Sequence, residues 1–198
     1  HDGAVFHFGS KGPRNLEEMK GLKVRAPTRI GSRVISAMGM IPVQMPAPAV
    51  PESISKGVVD GAMIPWEVVT PLKLQEITKF HVEVPVGMPK PSNTIFVIAM
   101  NQAKYDGLPA DLKKVIDQNS GLEASKWAGK VFDGPEAGAR KISEDRKNTF
   151  IRITPEEYKR WVTATDNVDD DWMKEVGAKG ANGKALVDDA KALLKKYD

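Results

Sequence analysis

The stretch GLKVRAPTRIGSRVISAMGMIPVQM, residues 21–45, contains a complete strand–helix–strand pattern and decides the fold class. Apolar and charged residues alternate over 22–26, which predicts a short strand. Thr28 is suited to cap the helix that follows, whose apolar residues recur every four positions until Gly39 ends it. A second strand pattern at 41–45 completes the unit, so we expect parallel strands joined by a helix.

The alternation of short strands and helices extends outward from this unit. We expect further strands at 58–64, 80–84, 94–100 and 149–153. We expect helices in one or two long pieces over 109–146, after the capping box at 154–157, and at the C-terminal end. This order predicts an α/β fold with an open, parallel-rich sheet.

Composition excludes several classes of protein. The 198 residues include 29 Lys or Arg and 26 Asp or Glu, a net charge of +3, without a long run of like charge, so we predict no nucleic-acid partner. Cysteine is absent, which excludes disulfides, thiolate metal sites and cysteine nucleophiles. No stretch approaches the roughly 20 apolar residues of a membrane span. The chain starts at His1 without a signal peptide, so we expect a processed or truncated product.

Patterns typical of catalytic and metal sites are missing from the sequence. It has no GxSxG elbow, phosphate loop or HExxH motif. The three histidines do not form a set of three convergent ligands with any Asp or Glu, so we expect structural roles for them and predict no metal or other cofactor. Glu67 and His7 are the candidates for a catalytic base, but neither has an orienting partner in the pattern. We therefore predict no catalytic residues and no enzyme.

Arg25 is the residue most indicative of function. It lies at the end of a predicted strand and just before a helix N-terminus, where free backbone N–H groups favour an anion. An Arg in an apolar cleft is suited to bind one carboxylate, although a structural ion pair explains the spacing equally well. Trp66 follows Pro65 at a predicted strand-to-helix turn, and we expect it to contact a ligand. We expect core or helix-packing positions for the other tryptophans, Trp127, Trp161 and Trp172.

Four strings in series give the chain a family resemblance. They are EEMKGLKVRAP, GMIPVQMP, SKGVVDGAMIPW and LPADLKKVID, and their order and spacing resemble the solute-binding subunit of tripartite ATP-independent periplasmic (TRAP) transporters, the DctP-like family. The resemblance implies an α/β periplasmic binding fold with open mixed sheets and long connecting helices. It also implies a periplasmic protein that closes on a small organic acid and delivers it to a TRAP membrane permease.

The resemblance also implies a set of ligand-binding residues. The position of Arg25 corresponds to the Arg that forms a salt bridge with the ligand carboxylate in the family. Thr28, Met63, Ile64 and Asn93 stand at positions that line the pocket. We therefore expect these residues around the bound acid.

Departures from the family pattern indicate the class of ligand. Members that bind larger polar acids have a second Arg near Val5, whereas Val5 and Phe6 stand here. Phe6 and Trp66 then make the predicted site less polar, which favours a monocarboxylate such as an aromatic acid or a branched 2-oxo or 2-hydroxy acid. A second hypothesis is that Arg29 supplies another cation.

Family members have an additional N-terminal stretch, so the resemblance implies that the N-terminal lobe is largely absent here. We expect residues 1–90 with 131–180 to form the second ligand-binding lobe. We expect residues 91–130 with 181–198 to provide the crossover strand and helices of the first lobe. Another chain that completes the cleft is an additional expected partner. An extracellular ligand-sensing domain and an enzyme acting on small acids are the alternatives to transport.

Overall fold

A six-stranded mixed sheet with the strand order β3-β2-β4-β1-β5-β6 forms the centre of the computed structural model, which describes residues 3–197. The strands are β1 (Val5–Phe8), β2 (Lys23–Ala26), β3 (Ile41–Gln44), β4 (Gly61–Ile64), β5 (Phe80–Glu83) and β6 (Thr149–Arg152). Strand β2 is parallel to β3 and β4, and β5 is parallel to β6. Strand β1 is antiparallel to both its neighbours, β4 and β5. The predicted class, α/β with mixed sheets, is confirmed.

Eleven α-helices are found in the described residues. They are α1 (Leu16–Met19), α2 (Arg29–Ala37), α3 (Val50–Ser55), α4 (Leu74–Ile77), α5 (Gln102–Asp106), α6 (Ala110–Gln118), α7 (Gly121–Asp133), α8 (Pro135–Asp145), α9 (Pro155–Thr165), α10 (Asn167–Gly177) and α11 (Gly183–Tyr197). None of them is both long and apolar enough to cross a membrane. Short 3₁₀ turns cover Ala47–Ala49 and Trp66–Val68.

Side-chain caps begin two of the helices where the sequence predicts them. Thr28 Oγ1 accepts a hydrogen bond of 3.0 Å from the backbone N–H of Gly31, which starts α2 directly after strand β2. Thr154 Oγ1 accepts one of 3.2 Å from the N–H of Glu157 and starts α9. Each cap satisfies one of the N–H groups that a helix start leaves without a partner.

The two faces of the sheet bury different side chains because neighbours along a strand point in opposite directions. On one face, Val24, Ala26 and Met63 join the core that α2 and α9 cover. The other face is covered by α3, α4 and α8, and Ala62 and Ile64 lie there. Arg25 lies between Val24 and Ala26, so its side chain leaves the sheet on this second face.

The segment after β5 differs from its prediction. Residues 94–100 form no strand in the structure, and Ile95, Val97 and Ile98 are 89%, 81% and 101% exposed. The expectation that Trp127 is a core or helix-packing residue is wrong, because it is 69% exposed on α7. Both differences have one physical reason, because a β-forming segment or an apolar side chain is buried only where a neighbour packs against it. No described strand pairs with residues 94–100. The predicted long helical region is divided into α6, α7 and α8.

Candidate functional site

One row of side chains crosses the sheet on the face covered by α3, α4 and α8. The strand register aligns Arg25 with Ala62 on β4, Ala62 with His7 on β1, and His7 with His81 on β5. We call these residues the cross-sheet row, and its six members are Val43, Arg25, Ala62, His7, His81 and Phe150. The row brings a cation, two imidazoles and an aromatic ring together on one apolar surface.

Arg25 is held by backbone oxygens at the end of this row. Its Nε donates to the carbonyl of Met45, 3.1 Å away, and its Nη1 donates to the carbonyl of Met63, 3.3 Å away. Both carbonyls lie at the carboxyl ends of the parallel strands. Within residues 3–197, the second terminal nitrogen, Nη2, has no hydrogen bond and Arg25 has no carboxylate partner. The structural ion pair that the spacing alone permits is therefore not found in this part of the chain.

The burial of Arg25 makes its positive charge unfavourable without a counter-ion. The residue is only 6% exposed, and this burial lowers the pKa of its guanidinium from the ordinary value. Neutral carbonyl oxygens orient the group but do not cancel its charge, and a buried charge without a counter-ion is unfavourable. A carboxylate at Nη2 supplies that charge in the planar geometry that a guanidinium favours.

The structure distributes the other predicted site residues between the two faces. Ile64 is on the Arg25 face and is 2% exposed, whereas Phe6 and Met63 are buried in the opposite core. Met63 meets Arg25 through its backbone oxygen instead of its side chain. Thr28 and Asn93 are exposed, and Thr28 serves as the α2 cap. Ligand contact by each of these residues stays a prediction.

Trp66 is enclosed on the same face, so the indole is not exposed in this structure. It is 1% exposed, and its Nε1 donates to Glu83 Oε1 over 2.9 Å. Arg140 from α8 forms an ion pair with Glu83 and places its guanidinium carbon 5.2 Å from the indole centre. Phe150 stacks on the indole with ring centres 5.5 Å apart. Contact between Trp66 and a ligand requires the ligand to reach this interior, and this contact also stays a prediction.

Two histidines occupy the middle of the row. The Nδ1 atoms of His7 and His81 are 2.7 Å apart, and both residues are fully buried. Burial lowers the pKa of both imidazoles, that of His81 to about 4. His7, one of the two candidates for a catalytic base, has a partner at each ring nitrogen: His81 at Nδ1 and the Ile64 carbonyl at Nε2. Within the described residues, no group of three or more Asp, Glu, His or Cys is arranged to hold a metal ion.

Sequence reasoning missed the His7–His81 pair. Their neighbourhood depends on the antiparallel register of β1 and β5, which are separated by three other elements of the sheet in sequence. The sequence does contain one signal, because His7 and His81 each lie inside a β-forming run. Two polar residues in buried strands require partners, and each is the partner of the other.

Arg29 contrasts with Arg25. The Arg29 Nη1 donates to Glu175 Oε2 over 2.5 Å, and Arg33 donates to the same oxygen over 2.8 Å. These hydrogen bonds hold the pKa of the half-buried Glu175 carboxyl at about 2. An open groove of about 1040 Å³ between α2 and α10 is lined by these three residues. Arg29, the candidate for a second ligand cation, is therefore already paired with the Glu175 carboxylate.

Comparisons with known proteins agree on one family. Residues 2–175 match the family described as "Bacterial extracellular solute-binding protein, family 7" (DctP). A TRAP solute-binding protein from Rhodoferax ferrireducens, solved with copurified benzoate, is 39% identical with a TM-score of 0.94, over 99% of this chain and 61% of that one. A marine metagenome TRAP protein specific for aromatic acid ligands, solved with metahydroxyphenylacetate, is 36% identical with a TM-score of 0.90, over 100% and 62%.

A curated relative extends the comparison to another ligand class. The C4-dicarboxylate-binding periplasmic protein DctP of Rhodobacter capsulatus is 26% identical over 167 residues, which are 82% of this chain and 47% of that protein. This chain spans about half the length of the curated relatives it matches. It spans about three fifths of the solved structures named above.

Proposed function

The chain belongs to bacterial extracellular solute-binding protein family 7, and from this premise we propose that it captures a small organic monocarboxylate outside the cytoplasm, in the periplasm, for delivery to a TRAP-type membrane permease. The family is one of solute-binding transport proteins. We propose an aromatic acid or a branched 2-oxo or 2-hydroxy acid as the ligand, and no catalytic step.

The observation that carries this proposal is the Arg25 guanidinium, buried and oriented by two carbonyls without an acidic partner in the described residues. We propose that the ligand carboxylate binds at Nη2. Arg25 is suited to this role because both of its hydrogen bonds within residues 3–197 use the other nitrogens, and the carboxyl ends of parallel strands are the usual place for ligands in open α/β sheets.

The apolar surroundings support a ligand with a single acidic group. Val43, Ala62 and Ile64 share the sheet face of Arg25, and Arg29 at the start of α2 already has a carboxylate partner. The relatives that bind benzoate and metahydroxyphenylacetate are 39% and 36% identical, whereas the C4-dicarboxylate relative is 26% identical. Both observations favour one carboxylate attached to an apolar body.

We propose roles for the remaining site residues according to their exposure. Thr28 and Asn93 are exposed and are proposed to contact the ligand. Ile64 is buried but lies on the Arg25 face, and it is proposed to contact the ligand there. Trp66 is proposed to shape the wall of the site from inside. Two further buried side chains are proposed to support that wall from the opposite core, Phe6 and Met63.

A larger assembly is part of the proposal. We propose that residues 1–90 with 131–180 form one ligand-binding lobe, and that 91–130 with 181–198 belong to a second lobe. The exposure of Ile95, Val97 and Trp127 supports this division, since exposed large apolar side chains are typical of surfaces that another segment covers. The relatives contain a part that this chain does not span. We propose that an equivalent polypeptide covers these exposed side chains and completes the cleft.

Calorimetric titration tests the proposed ligand class. Benzoate is expected to bind the wild-type protein, and succinate at least about tenfold more weakly, a difference of about 1.4 kcal/mol. Arg25→Met is expected to bind benzoate at least about thirtyfold more weakly, whereas the control Arg29→Met is expected to retain the wild-type affinity. Succinate binding as tightly as benzoate contradicts the ligand class, and full affinity in Arg25→Met contradicts the site.

A further inference from the structure

A chain of hydrogen bonds connects β6 to the end of β4 through the two buried histidines. Asn148 Nδ2 is 3.1 Å from His81 Nε2, the two Nδ1 atoms of His81 and His7 are 2.7 Å apart, and His7 Nε2 is 3.1 Å from the Ile64 carbonyl. We call these four groups the histidine relay. It is buried beneath Trp66, which contacts both imidazoles with ring centres 4.8 Å apart.

The partners at the two ends of the relay determine where its protons are. Asn148 Nδ2 lies 2.8 Å from the Thr78 carbonyl and 3.3 Å from the Gln75 carbonyl, so this atom is the amide nitrogen, which has two N–H groups and no acceptor capacity. One N–H donates to Thr78, and the other is shared between His81 Nε2 at 3.1 Å and the more distant Gln75 carbonyl. His81 Nε2 therefore accepts, and a neutral His81 has its proton on Nδ1. That proton points to His7 Nδ1, which leaves the His7 proton on Nε2, where it meets the Ile64 carbonyl oxygen. Each ring then has one donor and one acceptor, and each is satisfied.

The relay ends beside the residue that orients Arg25. Ile64 receives the hydrogen bond from His7, and the adjacent Met63 offers the carbonyl that Arg25 Nη1 binds. The two carbonyls belong to consecutive residues of β4, both held in register by pairing with β1, so a displacement of this strand end moves both oxygens. The position of the Arg25 guanidinium thus depends on the hydrogen bond from His7.

We propose that His7, His81 and Asn148 are positioning residues of the acid site, which hold the end of β4 through one fixed arrangement of protons. This inference rests on the proposed function in assigning Arg25 to the ligand. The relay itself is independent of that assignment, because it follows from the distances and from the donor chemistry.

The charged groups that face the relay keep it neutral. Arg140 from α8 and Lys90 from the segment after β5 oppose a positive charge on His7, and Arg140 also opposes one on His81. Glu83, two residues along β5, favours a charge on His81, but it is bound by Arg140. Burial is the largest cause that lowers the pKa of both histidines. A proton added to either ring would place two donors against each other.

Nitrogen-15 NMR of the histidine rings tests the relay in the full chain. At pH 7 we expect His81 to be protonated on Nδ1 alone and His7 on Nε2 alone. The opposite tautomers, a cationic ring, or rapid averaging between tautomers in either histidine would overturn the relay. Asn148→Ala, at the half-buried end, is expected to produce averaging at His81 without changing the buried core.

The exchange rate of the Arg25 Nη1 protons, which face the Met63 carbonyl, tests the positioning role without any ligand. His7→Leu removes the donor to Ile64, and we expect those protons to exchange about tenfold faster, the equivalent of one hydrogen bond. His7→Gln retains a donor and is expected to stay within about threefold of wild type. The control Phe8→Leu, on the opposite face of the same strand, is also expected to stay within about threefold. Equal rates in His7→Leu and Phe8→Leu would overturn the positioning role.

A benzoate titration of the same variants separates this inference from the proposed function. If wild type binds benzoate, His7→Leu is expected to bind it about tenfold more weakly than His7→Gln. If wild type does not bind benzoate, the proposed ligand class is contradicted, while the tautomers and the Arg25 exchange rate still decide the relay.

Discussion

Arg140 and Arg25 lie at two ends of the same sheet face, and they differ in whether the described residues supply an acidic partner. Under α8, Arg140 forms an ion pair with Glu83, which also accepts the indole N–H of Trp66, so every charge there has a partner. At the β2 end, Arg25 is buried, whereas Arg140 is half-buried, yet Arg25 is bound by two neutral carbonyls. The first arrangement is complete and stabilises the fold. The second lacks an anion among residues 3–197, and this difference supports our proposal that Arg25 is the cation that binds the ligand.

Removal of Glu83 is expected to have the largest effect on stability. Glu83→Ala leaves Arg140 and the Trp66 N–H without their acceptor in a buried position, which we expect to lower the free energy of unfolding by about 3 kcal/mol. Urea denaturation measures the change. Glu52→Ala, in the exposed pair with Lys56, is the matched control and is expected to cost less than about 0.5 kcal/mol. Equal losses in the two variants would remove the claimed contrast between buried and surface pairs.

Removal of Arg25 is expected to change affinity but not stability. Arg25→Met relieves a buried charge that has no counter-ion, so the free energy of unfolding is expected to stay within about 0.5 kcal/mol or to rise. Benzoate affinity is expected to fall at least about thirtyfold, roughly 2 kcal/mol, with little recovery in Arg25→Lys because an ammonium lacks the planar fork. A loss of stability as large as that of Glu83→Ala would show that the two ends of the face are alike.

Acid is expected to weaken the histidine relay before it affects the carboxylates. An unfolded histidine binds a proton below about pH 6.5, whereas folded His81 does so only near pH 4, so the unfolded state binds more protons between these values. The free energy of unfolding therefore falls as the pH falls through this window, by up to about 1.4 kcal/mol per pH unit for each neutral histidine. Denaturation at a series of pH values measures the slope.

A double variant provides the control for this slope. His7→Gln/His81→Gln removes both titrating rings and is expected to flatten the dependence between pH 6.5 and 4. The lowered pKa values of Glu17, Glu156 and Glu175 add to the slope only near and below pH 4.5, where unfolded carboxyls titrate, so the wild type and the double variant are compared between about pH 6.5 and 5. An unchanged slope in the double variant would assign the acid sensitivity to other groups.

The smallest effect is expected on the exposed helices. Trp127→Ser is expected to change the free energy of unfolding by less than about 0.5 kcal/mol, because the indole is 69% exposed. Trp161, which is 3% exposed, is the matched control, and Trp161→Ala is expected to lose about 3 kcal/mol. A large loss in Trp127→Ser would indicate that α7 is covered in solution by a second chain.

Local chemistry explains which features were predictable. The strand at 22–26 and the Thr28 and Thr154 caps depend on residues within a few positions, and the structure has all of them. The placement of Arg25 on a buried strand next to α2 follows from the same local pattern. Strand formation at 94–100 depends on a neighbouring strand, and the apolar pattern alone does not say whether that neighbour is present.

Non-local contacts explain what sequence reasoning missed. The enclosure of Trp66 depends on Glu83, which accepts its indole N–H, and on Arg140, which covers its face and is far away in sequence. Its contact with a ligand stays a prediction. The Met63 contact with Arg25 uses a backbone oxygen, which every residue has and no side-chain pattern reveals. The His7–His81 pair depends on sheet register.

A crystal structure of the protein with bound benzoate tests the central claim most directly. We expect a carboxylate oxygen within about 2.7–2.9 Å of Arg25 Nη2, with the carbonyls of Met45 and Met63 still bound to the other nitrogens. Benzoate bound in the groove between α2 and α10, with Arg25 free of it, would contradict the account.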